Sequence, residues 1–144
     1  MLKIGVEFKV KKKEYNEKMI KMQFWDCSGQ QKFRSVIKAY INGAKGILLL
    51  YDISQRSSFL AIPNWIKDIR EKNPHSIIIL IGHKCDLNER EISREEGEKI
   101  ADEYGLGFFE VSSKNNYNVD EMLNYLIQQS IFNTGEAADI GAAK

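Results

Sequence analysis

Hydrophobic and polar positions change their rhythm along this chain. Near the start they alternate: Ile4, Val6, Phe8 and Val10 interleave with Gly5, Glu7 and Lys9, and Ile20, Met22 and Phe24 resume the pattern after the polar stretch 11–17. A period of two marks a half-buried strand. The first 25 residues therefore predict an antiparallel hairpin turning near Tyr15-Asn16-Glu17. Residues 33–41 are loosely helical in pattern. From Gly46 to Asp52 and from Ile77 to Ile81 the alternation gives way to unbroken apolar runs, the mark of strands buried on both faces of a parallel sheet.

Helical spacing fills the intervals. Phe59, Ile62, Ile66 and Ile69 predict a helix over 58–72, which Asn73-Pro74 ends. Ser93-Arg94-Glu95-Glu96 is a capping box opening a helix to about Tyr104. Gly105 and Gly107 break that helix, and a strand follows over 108–112. Residues 118–121 cap a last helix with Met122, Leu123, Leu126, Ile127 and Ile131 as its apolar stripe. A hairpin followed by alternating strands and helices predicts an α/β three-layer domain with a mostly parallel sheet over residues 1–132. Residues 133–144 are rich in Gly and Ala, show no stripe, and are expected to be disordered.

Composition adds mainly exclusions. At 144 residues and 16.6 kDa the chain fits one domain with a real core. A net charge of +1 gives no basic field for nucleic acid. No apolar run approaches the ~20 residues of a membrane span, and the N-terminus has no signal-peptide core. Cys27 and Cys85 are too few for a disulfide framework and stand at no zinc-like spacing, which predicts free thiols in the cytoplasm.

Polar residues gather at three strand exits: Asp26 and Gly29, then His83 to Asp86, then Ser112 to Lys114. In open parallel sheets the carboxyl ends of strands form the ligand rim. The segment Trp25-Asp26-Cys27-Ser28-Gly29-Gln30-Gln31-Lys32-Phe33 resembles the WDTAGQERF run of Rab-type small GTPases of the Ras superfamily. His83-Lys84-Cys85-Asp86-Leu87 is similar to the guanine-recognition motif NKxDL, and Val111-Ser112-Ser113-Lys114 to the ETSAK segment. Further matches are residues 2–9 with TIGVEFKxK, 40–44 with YYRGA, 50–54 with VYDIT and 58–65 with SFxxxxxW.

The resemblance implies a Ras-like, P-loop-NTPase-like fold and a guanine-nucleotide switch in vesicle trafficking, using GTP or GDP with Mg²⁺. It assigns guanine specificity to Asp86, base or ribose contact to Lys84, and guanine O6 recognition to Ser113 within the Ser112–Lys114 segment. Asp26 would hold Mg²⁺ through water, the Gly29 amide would meet the γ-phosphate, and Gln30 would orient the attacking water. Phe8, Trp25 and Tyr40 correspond to the family's aromatic triad, which faces effectors and exchange factors. Localisation by resemblance is peripheral to endomembranes, although the sequence ends Gly-Ala-Ala-Lys without a prenylation cysteine.

The departures matter as much. No stretch fits the phosphate-binding pattern G-x-x-x-x-G-K-[ST]. Losing about five charge-assisted bonds at ~1.5 kcal/mol each amounts to roughly 7 kcal/mol, about 10⁵-fold in affinity. Lys3 stands where the family has a Mg²⁺-ligating Thr, and His83 replaces the Asn that bonds guanine N7. Nucleotide binding and hydrolysis are therefore expected to be impaired. The absent βα unit supplies the family's central strand, between the strand ending at Trp25 and the one beginning at Gly46. Without it two inner edges lack a partner. Either they close on each other, a partner donates a strand, or the natural chain is longer. Three functional readings follow: a Rab-like switch seen N-terminally truncated, a degenerate Rab-like module that binds proteins without nucleotide, and a different nucleotide protein of similar topology, which the ordered motifs disfavour.

Overall fold

A computed structural model describes residues 6–27, 41–86, 88–112, 114–134 and 139–143, with side chains at 10–22, 41–86, 88–112 and 114–130. The hairpin is the first element: β1 (Val6–Tyr15) pairs antiparallel with β2 (Lys18–Cys27) in a register that opposes Phe8 to Trp25 and Tyr15 to Lys18. Its two turn residues, Asn16 and Glu17, have φ of 49° and 63°. Paired positive φ values make a turn whose twist matches that of the flanking strands.

The alternating part of the chain gives β3 (Gly46–Asp52), α1 (Arg56–Leu60), α2 (Ile62–Lys72), β4 (Ile77–His83), α3 (Arg94–Tyr104), β5 (Gly107–Val111) and α4 (Val119–Thr134). The single helix expected over 58–72 is two. Pro63 sits in the first turn of α2, where its missing N–H costs nothing, and Ala61 separates the pieces. α3 begins and ends where its signals predict. Ser93 Oγ accepts from Glu96 N at 3.1 Å, Ser93 N donates to Glu96 Oε2 at 2.9 Å, and Gly105 closes the helix at φ 68°.

β3, β4 and β5 are parallel neighbours, and their alternate residues feed two cores. Ile47, Leu49, Tyr51, Ile78 and Leu80 pack with Phe59, Ile62, Ile66, Ile69 and Ala101 from α1, α2 and α3. Leu48, Ile79, Ile81 and Val111 pack with Met22 and with Met122, Leu123, Leu126 and Ile127 of α4. That is the expected three-layer Ras-like arrangement around a mostly parallel sheet. At Gly46 the fit is tight, since a Cβ there would lie 2.7 Å from Leu126 Cδ1.

The centre of the sheet differs from expectation. Its order is β1-β2-β6-β3-β4-β5, and β6 is Asp139–Ala143. Within the stretch expected to be a disordered tail, residues 133–134 end α4 and residues 139–143 form a strand. β6 runs parallel to both neighbours, pairing Gln23–Cys27 on one side and Gly46–Leu49 on the other. None of the three expected outcomes for the open edges describes this arrangement: the chain's own later segment fills the slot. The physical reason is non-local. Two strands flanking a third stand roughly 9–10 Å apart, and the unpaired amides on both edges accept whatever extended backbone reaches them.

Candidate nucleotide-binding site

Register brings the carboxyl ends of β3, β4 and β5 level: Asp52 is opposite His83, and His83 is opposite Val111. Beyond His83 the chain turns sharply, with Lys84 at φ 65°. A left-handed lysine is uncommon and needs support from its surroundings. Asp52 supplies it, its Oδ2 accepting from Lys84 Nζ at 2.6 Å. Asp52 is only 5% exposed, and its Oδ1 accepts from Ser54 N at 2.9 Å and Ser54 Oγ at 2.6 Å. Burial raises the pKa of this carboxyl, but the hydrogen bonds from Lys84 and Ser54 outweigh it and bring it down to about 2.

Asp86 follows two residues later. Ser112, buried at the end of β5, donates from Oγ to Asp86 Oδ1 at 2.7 Å and accepts from Asn115 N at 3.2 Å. The Ser112 backbone is itself fixed by a bridge to Tyr117, with N···O distances of 3.2 and 2.9 Å. The Ser112 hydroxyl and, at longer range, the Lys114 charge hold Asp86 ionised, below the ordinary carboxylate range. Each of its oxygens retains acceptor capacity. Two positive-φ asparagines, Asn116 (52°) and Asn118 (58°), shape the loop that follows. Asn118 Nδ2 ties it back to Glu110 O at 3.1 Å.

Near this loop lies a part-buried ion pair. Arg90 donates through both terminal nitrogens to Glu110 at 2.5 and 3.0 Å, and Glu110 is 5% exposed. Cys85, Asp86, Arg90, Glu110, Ser112 and Tyr117 line an open cleft of about 440 Å³. Burial, with the negative charges of Glu110 and Asp86, raises the Cys85 thiol pKa, which makes it a poor nucleophile. Among the described residues there is no cluster of His, Cys, Asp and Glu suited to a metal.

Of the residues singled out in the sequence, the fold joins His83, Lys84, Asp86, Ser112 and Lys114 on one rim. Asp26 is placed near the end of β2, opposite Ala142 of β6. Phe8 and Trp25 are directly opposed in the backbone register of the hairpin. Gly29, Gln30, Tyr40 and Ser113, with most of the helical-looking stretch 33–41, lie outside the described residues. Asp52 and the Arg90–Glu110 pair were not selected from sequence. For Asp52 a signal existed, since a carboxylate ending an otherwise apolar buried strand points at the ligand rim. Arg90 and Glu110 sit in no motif.

Comparison with known proteins agrees with this arrangement. Residues 2–132 match the Ras family. The chain is 41% identical over 134 residues to Ras-related protein Rab-13 of Mesocricetus auratus, covering 92% of this chain and 66% of that protein. It is 45% identical over 120 residues to Ras-related protein Rab-8B of Homo sapiens, covering 82% and 58%. Ras-related protein RABE1e of Arabidopsis thaliana is 45% identical over 122 residues, covering 83% and 56%. The chain belongs to the Ras family, as a Rab-type small GTPase domain. It spans 56 to 66% of the length of these relatives.

Proposed function

We propose that this chain is a Rab-like, guanine-nucleotide-dependent switch domain of vesicle trafficking that keeps base recognition while phosphate binding and hydrolysis are impaired. The observation that carries the reading is Asp86: a half-buried carboxylate just past β4, held ionised by Ser112. Guanine presents an N1–H and an exocyclic amine to such a pair of oxygens, and adenine does not. Lys84 would contribute its methylene stem to the base or ribose while Asp52 holds its ammonium. His83, Ser113 and Lys114 complete the base pocket in this reading. Asp26 would hold Mg²⁺ through water, the Gly29 amide would meet the γ-phosphate, and Gln30 would orient water. GTP, when bound, supplies the phosphoanhydride that such a switch hydrolyses. Phe8, Trp25 and Tyr40 would face effectors and exchange factors at peripheral endomembranes. Among the described residues no helix is long and apolar enough to cross a membrane.

One observation favours a second reading, a protein-binding module that works without nucleotide. β6 completes the sheet in the slot from which the family's phosphate loop would otherwise emerge. Equilibrium titration with GDP, GMP and ADP separates the two. The first reading expects GDP and GMP to bind within about tenfold of each other, a difference of about 1.4 kcal/mol, and both more tightly than ADP. Asp86→Asn should erase the guanine preference. GDP binding far more tightly than GMP would overturn the impairment of phosphate binding, and no preference for guanine over adenine would leave the second reading. Hydrolysis should be undetectable, and turnover that vanishes in Gln30→Leu would contradict that expectation.

A further inference from the structure

The hairpin reaches beyond the rest of the sheet. β6 pairs with β2 at Gln23–Cys27, so among the described residues the stretch 18–22 has β1 alone as its strand neighbour. The ribbon of residues 10–22 has two unlike faces. One turns to α4: Tyr15, Ile20 and Met22 pack with its apolar stripe, and Lys13 Nζ donates to Asp120 Oδ1 at 3.1 Å. The other carries Val10, Lys12, Glu14, Met19 and Lys21, every one of them exposed. Opposed residues share a face, and alternate residues along a strand do too. The register therefore sets Lys12 directly across from Lys21, with Val10 and Met19 in the rows on either side. Met19 is 65% exposed.

Residues 10–22 hold five lysines, two glutamates and no arginine. That is a surplus of three positive charges in a chain of net charge +1, so the remainder of the chain is negative. Lys12 facing Lys21 costs stability, because like charges directly across a strand pair repel. Guarding an open strand edge does not require that cost, since a lysine facing a glutamate guards it as well and attracts. A negatively charged partner offsets it. We propose that the outward face of the hairpin is a docking surface for an anionic lipid bilayer. Lysine is a point charge on a flexible stem and suits a field of headgroups, whereas a shaped carboxylate site favours the planar fork of arginine. Val10 and Met19, flanking the lysine row, supply apolar side chains for the boundary between headgroups and acyl chains. Lys11 and Lys18 are exposed as well, and long stems let such side chains reach headgroups from the margin of the ribbon. An acidic protein segment would use the charge and have no equal need of Met19. This inference is independent of nucleotide.

Co-sedimentation of the full chain with vesicles tests the surface. Vesicles of equimolar phosphatidylcholine and phosphatidylserine are compared with vesicles of phosphatidylcholine alone. The expected result is partition onto the anionic vesicles in preference to the neutral ones, weakened by added salt. Lys21→Glu should cut that partition about fivefold or more, the worth of one lysine at an anionic surface. The same variant should unfold at an equal or higher urea midpoint, because an attractive cross-strand pair replaces a repulsive one. Weaker docking on a ribbon of undiminished stability separates a surface role from a structural one. Met19→Ser should lower partition about tenfold by removing the inserted side chain. Lys72→Glu, at the exposed end of α2, makes the same change in net charge and should leave partition nearly unchanged. No uptake, or equal uptake by neutral vesicles, overturns the proposal. A loss from Lys72→Glu as large as that from Lys21→Glu overturns it as well. Polyglutamate bound as tightly as the anionic vesicles, with Met19→Ser altering neither, would assign the face to an acidic protein segment and overturn the bilayer as its partner.

Discussion

At the residue scale, Asp52 shows how one buried charge supports the rim. Its carboxyl pKa falls from 3.8 to about 2, so the ionised form is favoured in the folded chain. A depressed carboxylate contributes its stability above the unfolded pKa and loses it as pH falls through the folded one. The contribution is therefore intact at neutral pH and disappears between about pH 4 and 2. At about 1.4 kcal/mol per unit, discounted because Lys84 is half exposed, it is worth about 1–2 kcal/mol. Asp52→Asn should lose about that much at pH 7 and flatten the acid limb of a denaturation-versus-pH series. Tyr51 presents the opposite case. Its hydroxyl is buried and finds no hydrogen-bond partner among the described residues, and burial, reinforced by the nearby charge of Glu110, raises its pKa far above the usual range. Removing an unsatisfied buried group is neutral to stabilising, by about 1 kcal/mol. Tyr51→Phe should unfold at the same or a higher urea midpoint than the parent chain. Gly97 explains why that hydroxyl is confined, for a Cβ there would stand 2.3 Å from it and 2.6 Å from Phe108. Gly97→Ala should therefore destabilise by about 1–3 kcal/mol despite the better helix propensity of Ala, measured on the same urea axis.

At the scale of elements, α3 is written locally. Ser93 and Glu96 satisfy each other's backbone amides, and Glu96 also takes Arg56 at 3.2 Å, tying α3 to α1. Ser93→Ala should cost about 1 kcal/mol and lower the melting temperature by about 3–5 °C. Elements of this kind were legible in the sequence, because their signals lie within a turn or two of the residues they govern. The hairpin, the two buried strands, both ends of α3 and the stripe of α4 all belong here. The α1–α2 break was not read, because the 59, 62, 66, 69 spacing runs through it and only Pro63 marks the restart. Lys84 and Asp52 are 32 residues apart, and Arg90 and Glu110 are 20 apart. Neither pair has a periodicity to betray it, although Lys84, Asp86 and Ser112 each stand in a motif. β6 was least legible of all. Nothing in Asp-Ile-Gly-Ala-Ala asks to be a strand, and its structure is imposed by the edges of β2 and β3.

At the scale of the whole molecule, stability is unevenly spread. β4 lies between β3 and β5 and contributes buried residues to both cores. Its amides should exchange with deuterium most slowly, near the global unfolding rate, while the solvent-facing part of β1, where Val10 is 46% exposed, exchanges by local opening. Equal protection in β1 and β4 would argue for a single cooperative unit. The late position of β6 in the chain also bears on how the protein is made. Domains generally fold as units, and synthesis proceeds at about 5–20 residues per second. On the ribosome, the hairpin and the β3–β4–β5 half each emerge before the strand that joins them. During that interval the slot between β2 and β3 has no occupant from its own chain. A chain that stopped before residue 139 would contain the sequence of every described helix and lack the strand that joins the two halves of its sheet.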